Sequence, residues 1–204
     1  MHLPDFLIDR YKDWKNNISH SDKILLKTLV NKGQKPKAMI ITCCDSRINT
    51  TKIFKAEIGD FFIHRNIANL VPSFKQGSDN HATFSTIEYA IKNLKIPNII
   101  ILGHSNCGGI EHAYNKFSNN CIDKDSHVDE WLAPLQKTYE LIDKNQIKSK
   151  SLKDLEKLSI INSISNLLEY EMINKLVSEK KINICGLWLD IKSGDLMSYN
   201  QDKK

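Results

Sequence analysis

The sequence predicts an α/β fold: a mainly parallel central β-sheet flanked by helices, ending in a C-terminal antiparallel hairpin strand. Three observations predict it. Short, continuously apolar runs recur along the chain, as in strands covered on both faces. Helical patterns separate these runs, which is the alternation of βαβ units. Near the end, "SGD" at 193–195 lies between "LWLDIK" and "LMSY" and reads as a tight turn.

Four runs are the candidate strands: "KAMIITCC" (37–44), "DFFIHRN" (60–66), "NIIILGHS" (98–105) and "INICGLWLDI" (182–191). Between the second and third, "HATFSTIEYAIKNL" (81–94) spaces Phe84, Ile87, Ala90, Ile91 and Leu94 as one helical face, and Pro97 blocks its continuation. The segment 151–181 predicts one long amphipathic helix. Its stripe is Leu152, Leu155, Leu158, Ile161, Ile164, Leu168, Met172 and Leu176, with a serine as N-cap. Residues 1–30 read as a helical arm and 31–204 as the α/β core of a single domain spanning 1–204. Phe6, Leu7, Tyr11 and Trp14 give the arm an apolar face, which we expect to pack on a partner subunit.

Composition narrows the function. Hydrophobic residues make up 41% and charged residues 26%, an ordinary balance for a globular protein. The net charge of +5 comes from scattered lysines, without a basic stripe interleaved with aromatics, so nucleic acid is not an expected partner. No apolar run reaches transmembrane length, so no membrane is expected. The first twenty residues lack the layout of a secretory signal, and the expected compartment is the cytoplasm. Five cysteines without regular spacing do not form a disulfide framework. In a reducing compartment they pack as small hydrophobes or perform chemistry.

Ligands of parallel sheets gather at the carboxyl ends of strands. Two motifs sit there: "CCDSR" (43–47) and "GHSNCGG" (103–109). The three-residue step from His104 to Cys107 lets both side chains face one point, and Gly103, Gly108 and Gly109 permit a sharp exit from the strand. With Cys43 they form a Cys₂His set, the pattern of a catalytic zinc site with one position free; the ligand types favour zinc over magnesium or calcium and leave copper and iron open. Strand alternation sends Cys43 and Asp45 to one side and Cys44 to the other. Asp45 can then either occupy the fourth metal position or orient a water there. Arg47 can hold the carboxylate in a bidentate pair and keep it ionised. Cys44 and Cys185 are expected to pack, and Cys121 to be exposed. His64 is expected to be a packed or interface histidine rather than a proton shuttle. His112 and His127 are two candidate proton carriers that the sequence does not separate.

The stretches "CCDSR", "FFIHRNIANLVP", "IEYAIKNLKIPNIIILGHSNCGG" and "GLWLDIKSGDL" resemble the β-class carbonic anhydrases from about Gly33 to Tyr199. The resemblance implies zinc-dependent reversible hydration of CO₂ to bicarbonate and a proton by zinc-bound hydroxide. It places Cys43, His104 and Cys107 on the zinc-ligand positions and Asp45 and Arg47 on the catalytic dyad. It implies one Zn²⁺ per chain and a homodimer or dimer-based higher oligomer. Ile40 stands where the form with an aspartate-closed site carries a bicarbonate-binding tryptophan. Gln34, nine residues before Cys43, matches the plant-type form, for which the resemblance implies an open site. Gln34, Phe62, Ile67, Tyr89 and Gly108 are the implied substrate-binding positions. Two rivals share the ligand set: a carbonyl sulfide or carbon disulfide hydrolase, and a non-catalytic scaffold whose zinc site Asp45 closes.

Overall fold

The computed structural model describes residues 3–74, 81–119, 126–144 and 151–199; Cys121 lies outside them. Five strands form one sheet: β1 (Ala38–Cys43), β2 (Phe61–Asn66), β3 (Asn98–His104), β4 (Asn183–Leu189) and β5 (Leu196–Tyr199). Their order is β2-β1-β3-β4-β5. The first four run parallel, and β5 returns antiparallel on β4. The predicted architecture, including the terminal hairpin, is therefore the observed one. The chain leaves β1 toward β2 on one side and leaves β3 toward β4 on the other. The carboxyl ends of β1 and β3 thus flank a topological switch point, where open α/β sheets hold ligands.

The helices are α1 (Asp5–Asn17), α2 (His20–Lys32), α3 (Thr50–Ile53), α4 (His81–Lys92), α5 (Gly108–Ser118), α6 (His127–Leu132), α7 (Leu135–Lys144), α8 (Leu152–Leu168) and α9 (Glu171–Ser178). One face of the sheet packs Met39, Ile41, Ile99 and Ile101 against Ile87 of α4, Ile160 and Ile164 of α8 and Ile173 of α9. The other face packs Ile40, Leu102 and Leu189 against Ile48, with Ile53 and Phe54 beside it. A further group joins Cys43, Ala68, Leu70 and Cys107 to Ile110 of α5, Leu132 of α6 and Leu135 of α7. The helices α1 and α2 bury no residue. Phe6, Tyr11 and Trp14 are each more than half exposed.

Three expectations change. The segment 151–181 is two helices, not one. Helix α8 ends at Leu168, and Tyr170 becomes the N-cap of α9 with extended backbone. Tyr170 is drawn into a cluster with Phe74 and Phe84, at ring-centroid distances of 4.4 and 5.0 Å. The buried stripe of α8 is also rotated from the leucine pattern. Ile161 is exposed, while Glu156, Ser159, Ser163 and Asn166 are buried. Finally, Cys44 is exposed because β1 ends one residue earlier, at Cys43, and the chain turns away.

His64 is packed, as expected. Its Nε2 lies 3.1 Å from Thr83 Oγ1 of α4, and burial pushes its imidazole pKa below the usual range. The fold therefore favours neutral His64. Its contribution to stability is present above the unfolded value of about 6.5 and is lost as pH falls through the lower folded value. We predict that His64→Asn flattens the slope of unfolding free energy against pH between about 7.5 and 5. Urea unfolding of both proteins across that range measures it, and parallel slopes would contradict the assignment.

Candidate active site and metal centre

Parallel pairing aligns Met39–Thr42 of β1 with Ile99–Leu102 of β3. The two strand ends then deliver Cys43 and His104 side by side. Thr42 Oγ1 donates to the Leu102 carbonyl at 3.0 Å and ties the ends together. Past β3, Asn106 takes a left-handed conformation, φ +54°, and Cys107 becomes the N-cap of α5. The chain thereby folds back, and Cys107 Sγ comes to 3.8 Å from Cys43 Sγ. Ligand atoms of Cys43, His104 and Cys107 all lie within 4.8 Å of one another, and all three residues are buried.

The donor set suits a metal ion. His104 Nδ1 lies 2.9 Å from the Ser105 carbonyl, so the N–H belongs on Nδ1 and the Nε2 lone pair faces the two sulfurs. That buried Nε2 has no hydrogen-bond partner, and coordination to a metal ion would use its lone pair instead. The Cys107 contact and the His104 imidazole hold the Cys43 thiol down, to about 4, against the opposing effect of burial. Contact with Cys43 and burial push the Cys107 thiol up. The contact thus sets the two thiols apart in acidity, and a bound cation would favour the thiolate form of both.

Asp45 and Arg47 stand at the rim. Arg47 Nη2 is 2.6 Å from Asp45 Oδ2, and Arg47 Nε is 3.0 Å from Oδ1. The Arg47 backbone N–H also donates to Oδ1 at 2.9 Å. The Arg47 hydrogen bonds lower the Asp45 carboxyl to about 2, burial opposing them. Asp45 Oδ2 lies 3.8 Å from His104 Nε2. Arg47 Nη2 reaches across to the Asn106 carbonyl at 2.9 Å, joining the two motifs. Arg65 from β2 supports the loop by donating to the carbonyls of Asp45 and Ile48, at 2.8 and 2.9 Å.

The turn after β2 forms a third wall. Ala68 and Asn69 both have left-handed backbone, φ +64° and +50°. Asn66 clamps them by bonding both the N–H and the C=O of Leu70, each at 2.8 Å. Trp131 Nε1 donates to the Ile67 carbonyl at 2.8 Å. Gly109 faces this turn at close range.

The remaining positions from the sequence divide. Ile67 and Gly108 lie at this end of the sheet, and a Cβ on Gly108 would meet nothing within 4 Å. Phe62 and Tyr89 stack on each other at 6.0 Å between centroids. Phe62 pairs with Met39, four residues before Cys43, or about 13 Å along the strand. Gln34 is exposed in the segment leading into β1. The chain does not gather Gln34, Phe62 and Tyr89 around its own Cys₂His cluster. His112 is held by the buried Asp129, which also pairs with Lys116 at 3.2 Å; His127 is fully exposed.

Sequence reasoning missed the polar ridge of α8. Glu156 Oε1 accepts from the Cys107 N–H and Oε2 from Trp188 Nε1, both at 3.2 Å. Ser163 Oγ accepts from the Val71 N–H at 3.1 Å, and Asn166 Nδ2 donates to the Val71 carbonyl at 2.7 Å. The signal was there as polar residues at 156, 159, 163 and 166, one helical face.

An α/β fold with buried soft ligands at its switch point, beside an arginine-held carboxylate, defines a metalloenzyme class. A carbonic anhydrase family model matches residues 38–196. Beta carbonic anhydrase 3 of Arabidopsis thaliana is 31% identical, covering 94% of this chain and 74% of the relative. A carbonic anhydrase of Synechococcus elongatus is 29% identical, covering 96% and 71%. Among solved structures, the beta-carbonic anhydrase CcaA matches with a TM-score of 0.86 at 26% identity, over 96% of this chain and 86% of that one. One of two tetrameric beta-carbonic anhydrases from Sordaria macrospora matches at 0.81 and 26%, over 95% of each chain. The chain belongs to the β-class carbonic anhydrases, a family of carbonate dehydratases.

A Cβ on Gly109 would lie 2.7 Å from Ile67 Cγ2 and 3.3 Å from the Ala68 backbone nitrogen. We therefore predict that Gly109→Ala costs about 1–3 kcal/mol by overpacking. Ile67→Ala in the same chain should return only part of this, because the Ala68 backbone still resists. Denaturant melts of the single and double variants test it; a neutral Gly109→Ala would refute the close packing.

Proposed function

We propose that the protein hydrates CO₂ reversibly to bicarbonate and a proton, with zinc held by Cys43, His104 and Cys107. The observation that carries this is the buried Cys₂His cluster with the unpartnered His104 Nε2 turned into it. Zinc held by these three residues would supply a Lewis acid that eases loss of a proton from water. The chain's own residues do the rest. His104, fixed by the Ser105 carbonyl, presents Nε2 in one orientation. Asp45, kept ionised by Arg47, offers a carboxylate oxygen at the rim to accept a proton-bearing group and orient it. Arg47 bonds both Asp45 oxygens and leaves each a further lone pair; a carboxylate held toward the arginine supports an open site over one closed by Asp45. Gly108 leaves room next to Cys107 for a small substrate.

Cys107→Ser should lose zinc and activity together. Asp45→Asn should retain zinc and lose roughly 10²–10⁴-fold in turnover. Stopped-flow CO₂ hydration against pH on zinc-quantified protein decides both, and full activity in Asp45→Asn would remove its assigned role. Faster turnover of carbonyl sulfide than of CO₂ would overturn the substrate.

We further propose a homodimer or dimer-based oligomer. Two observations support it: the exposed apolar face of α1, and the separation of Gln34, Phe62 and Tyr89 from the chain's own metal ligands. If those three bind substrate, a second copy must bring them to the cluster. Deleting residues 1–20 should shift sedimentation toward monomer; unchanged dimer behaviour would refute a role for the arm.

A further inference from the structure

Glu156 is a carboxylate in an unusual place. Its residue is only 3% exposed. Among the described residues, no lysine or arginine pairs with it. Burying such a charge is costly unless donors surround it. The donors here are backbone and indole N–H groups. One oxygen takes the Cys107 N–H and the other takes the Trp188 indole; these donors oppose the burial that pushes the carboxyl pKa up. The left-handed Asn106 turns the chain so that the Cys107 N–H meets this carboxylate. The carboxylate also lies at the N-terminus of α5, where the helix dipole favours negative charge. On the far side, Lys153 and Lys157 Nζ sit 4.7 and 5.0 Å from the Trp188 ring centroid.

We infer that Glu156 is a positioning residue for the metal centre: it fixes the Asn106–Cys107 turn that aims the Cys107 sulfur, with Trp188 holding its second oxygen. This rests on Cys43, His104 and Cys107 being metal ligands. The requirement is specific. Both oxygens accept from N–H donors, so residue 156 must accept on both sides. Glutamine has nearly the same shape but accepts on one side only, and its NH₂ would face an N–H.

The test uses the full chain, loaded with zinc or with cobalt(II). Glu156→Gln should weaken zinc binding roughly 10–100-fold, the usual scale for groups that orient metal ligands, measured by chelator competition. Its cobalt bands should shift while circular dichroism stays that of a folded protein. Trp188→Phe should move both readouts the same way but less. Combining the two should lose less affinity than the product of the single losses, since the amide no longer opposes the indole. Zinc affinity and cobalt spectrum both unchanged in Glu156→Gln, with only a lower melting temperature, would overturn the inference. Should Glu156→Gln fail to fold, Trp188→Phe decides: an unmoved cobalt spectrum there overturns it. Wild-type protein without stoichiometric zinc would overturn the metal-site reading and this inference together.

Discussion

Parallel pairing between β1 and β3 is the constraint on which the site depends. Register pairs Thr42 with Leu102, so β1 ends at Cys43 one residue short of the level of His104, and both side chains reach one cluster. A one-residue slip would send every side chain of β1 to the opposite face and separate the ligands. The buried strand interior, with Met39, Ile40 and Ile41 fully covered, makes that slip expensive. Burial thus specifies the register, and the register helps set the geometry of the Cys₂His cluster.

The rest of the site is held by polar contacts that reach over the strand ends. Arg47 and Arg65 bind carbonyls of the "CCDSR" loop and of Asn106. Helix α8 reaches the same region from behind, touching Cys107 through Glu156 and Val71 through Ser163 and Asn166. These side chains bond to backbone atoms more than to other side chains. They therefore fix loop conformation, which strand pairing alone does not reach. The aromatic cluster around Tyr170 ends α8 and sets where α9 begins.

Much of this was legible in the sequence. Apolar runs separated by helical periods gave the strand order its elements. The Cys₂His cluster was legible through the combination of Cys43, His104 and Cys107 at two strand ends, because the His-x-x-Cys step by itself reads first as buried packing. Glu156 was not, because the leucines of 152–168 suggest a stripe of their own and draw attention from the polar face beside it. The break at Tyr170 was hidden for a related reason: contacts with Phe74 and Phe84 override a helical pattern that continues in sequence. Gln34, Phe62 and Tyr89 show a different limit. Resemblance relates them to the site, but folding in one chain leaves them toward the other end of the strand.

The turn at Ala68 and Asn69 has a consequence for how the site is made ready. Left-handed backbone in a residue with a Cβ costs roughly 1–2 kcal/mol, and Ala68 has no side-chain polar group to offset it. The Asn66 clamp and the Trp131 indole hold that strain in place once the chain has folded. The energy is stored in the resting protein and is not demanded at each turnover. Such a wall is preorganised: it meets the reacting groups already in shape, and the cost of shaping it is borne by global stability.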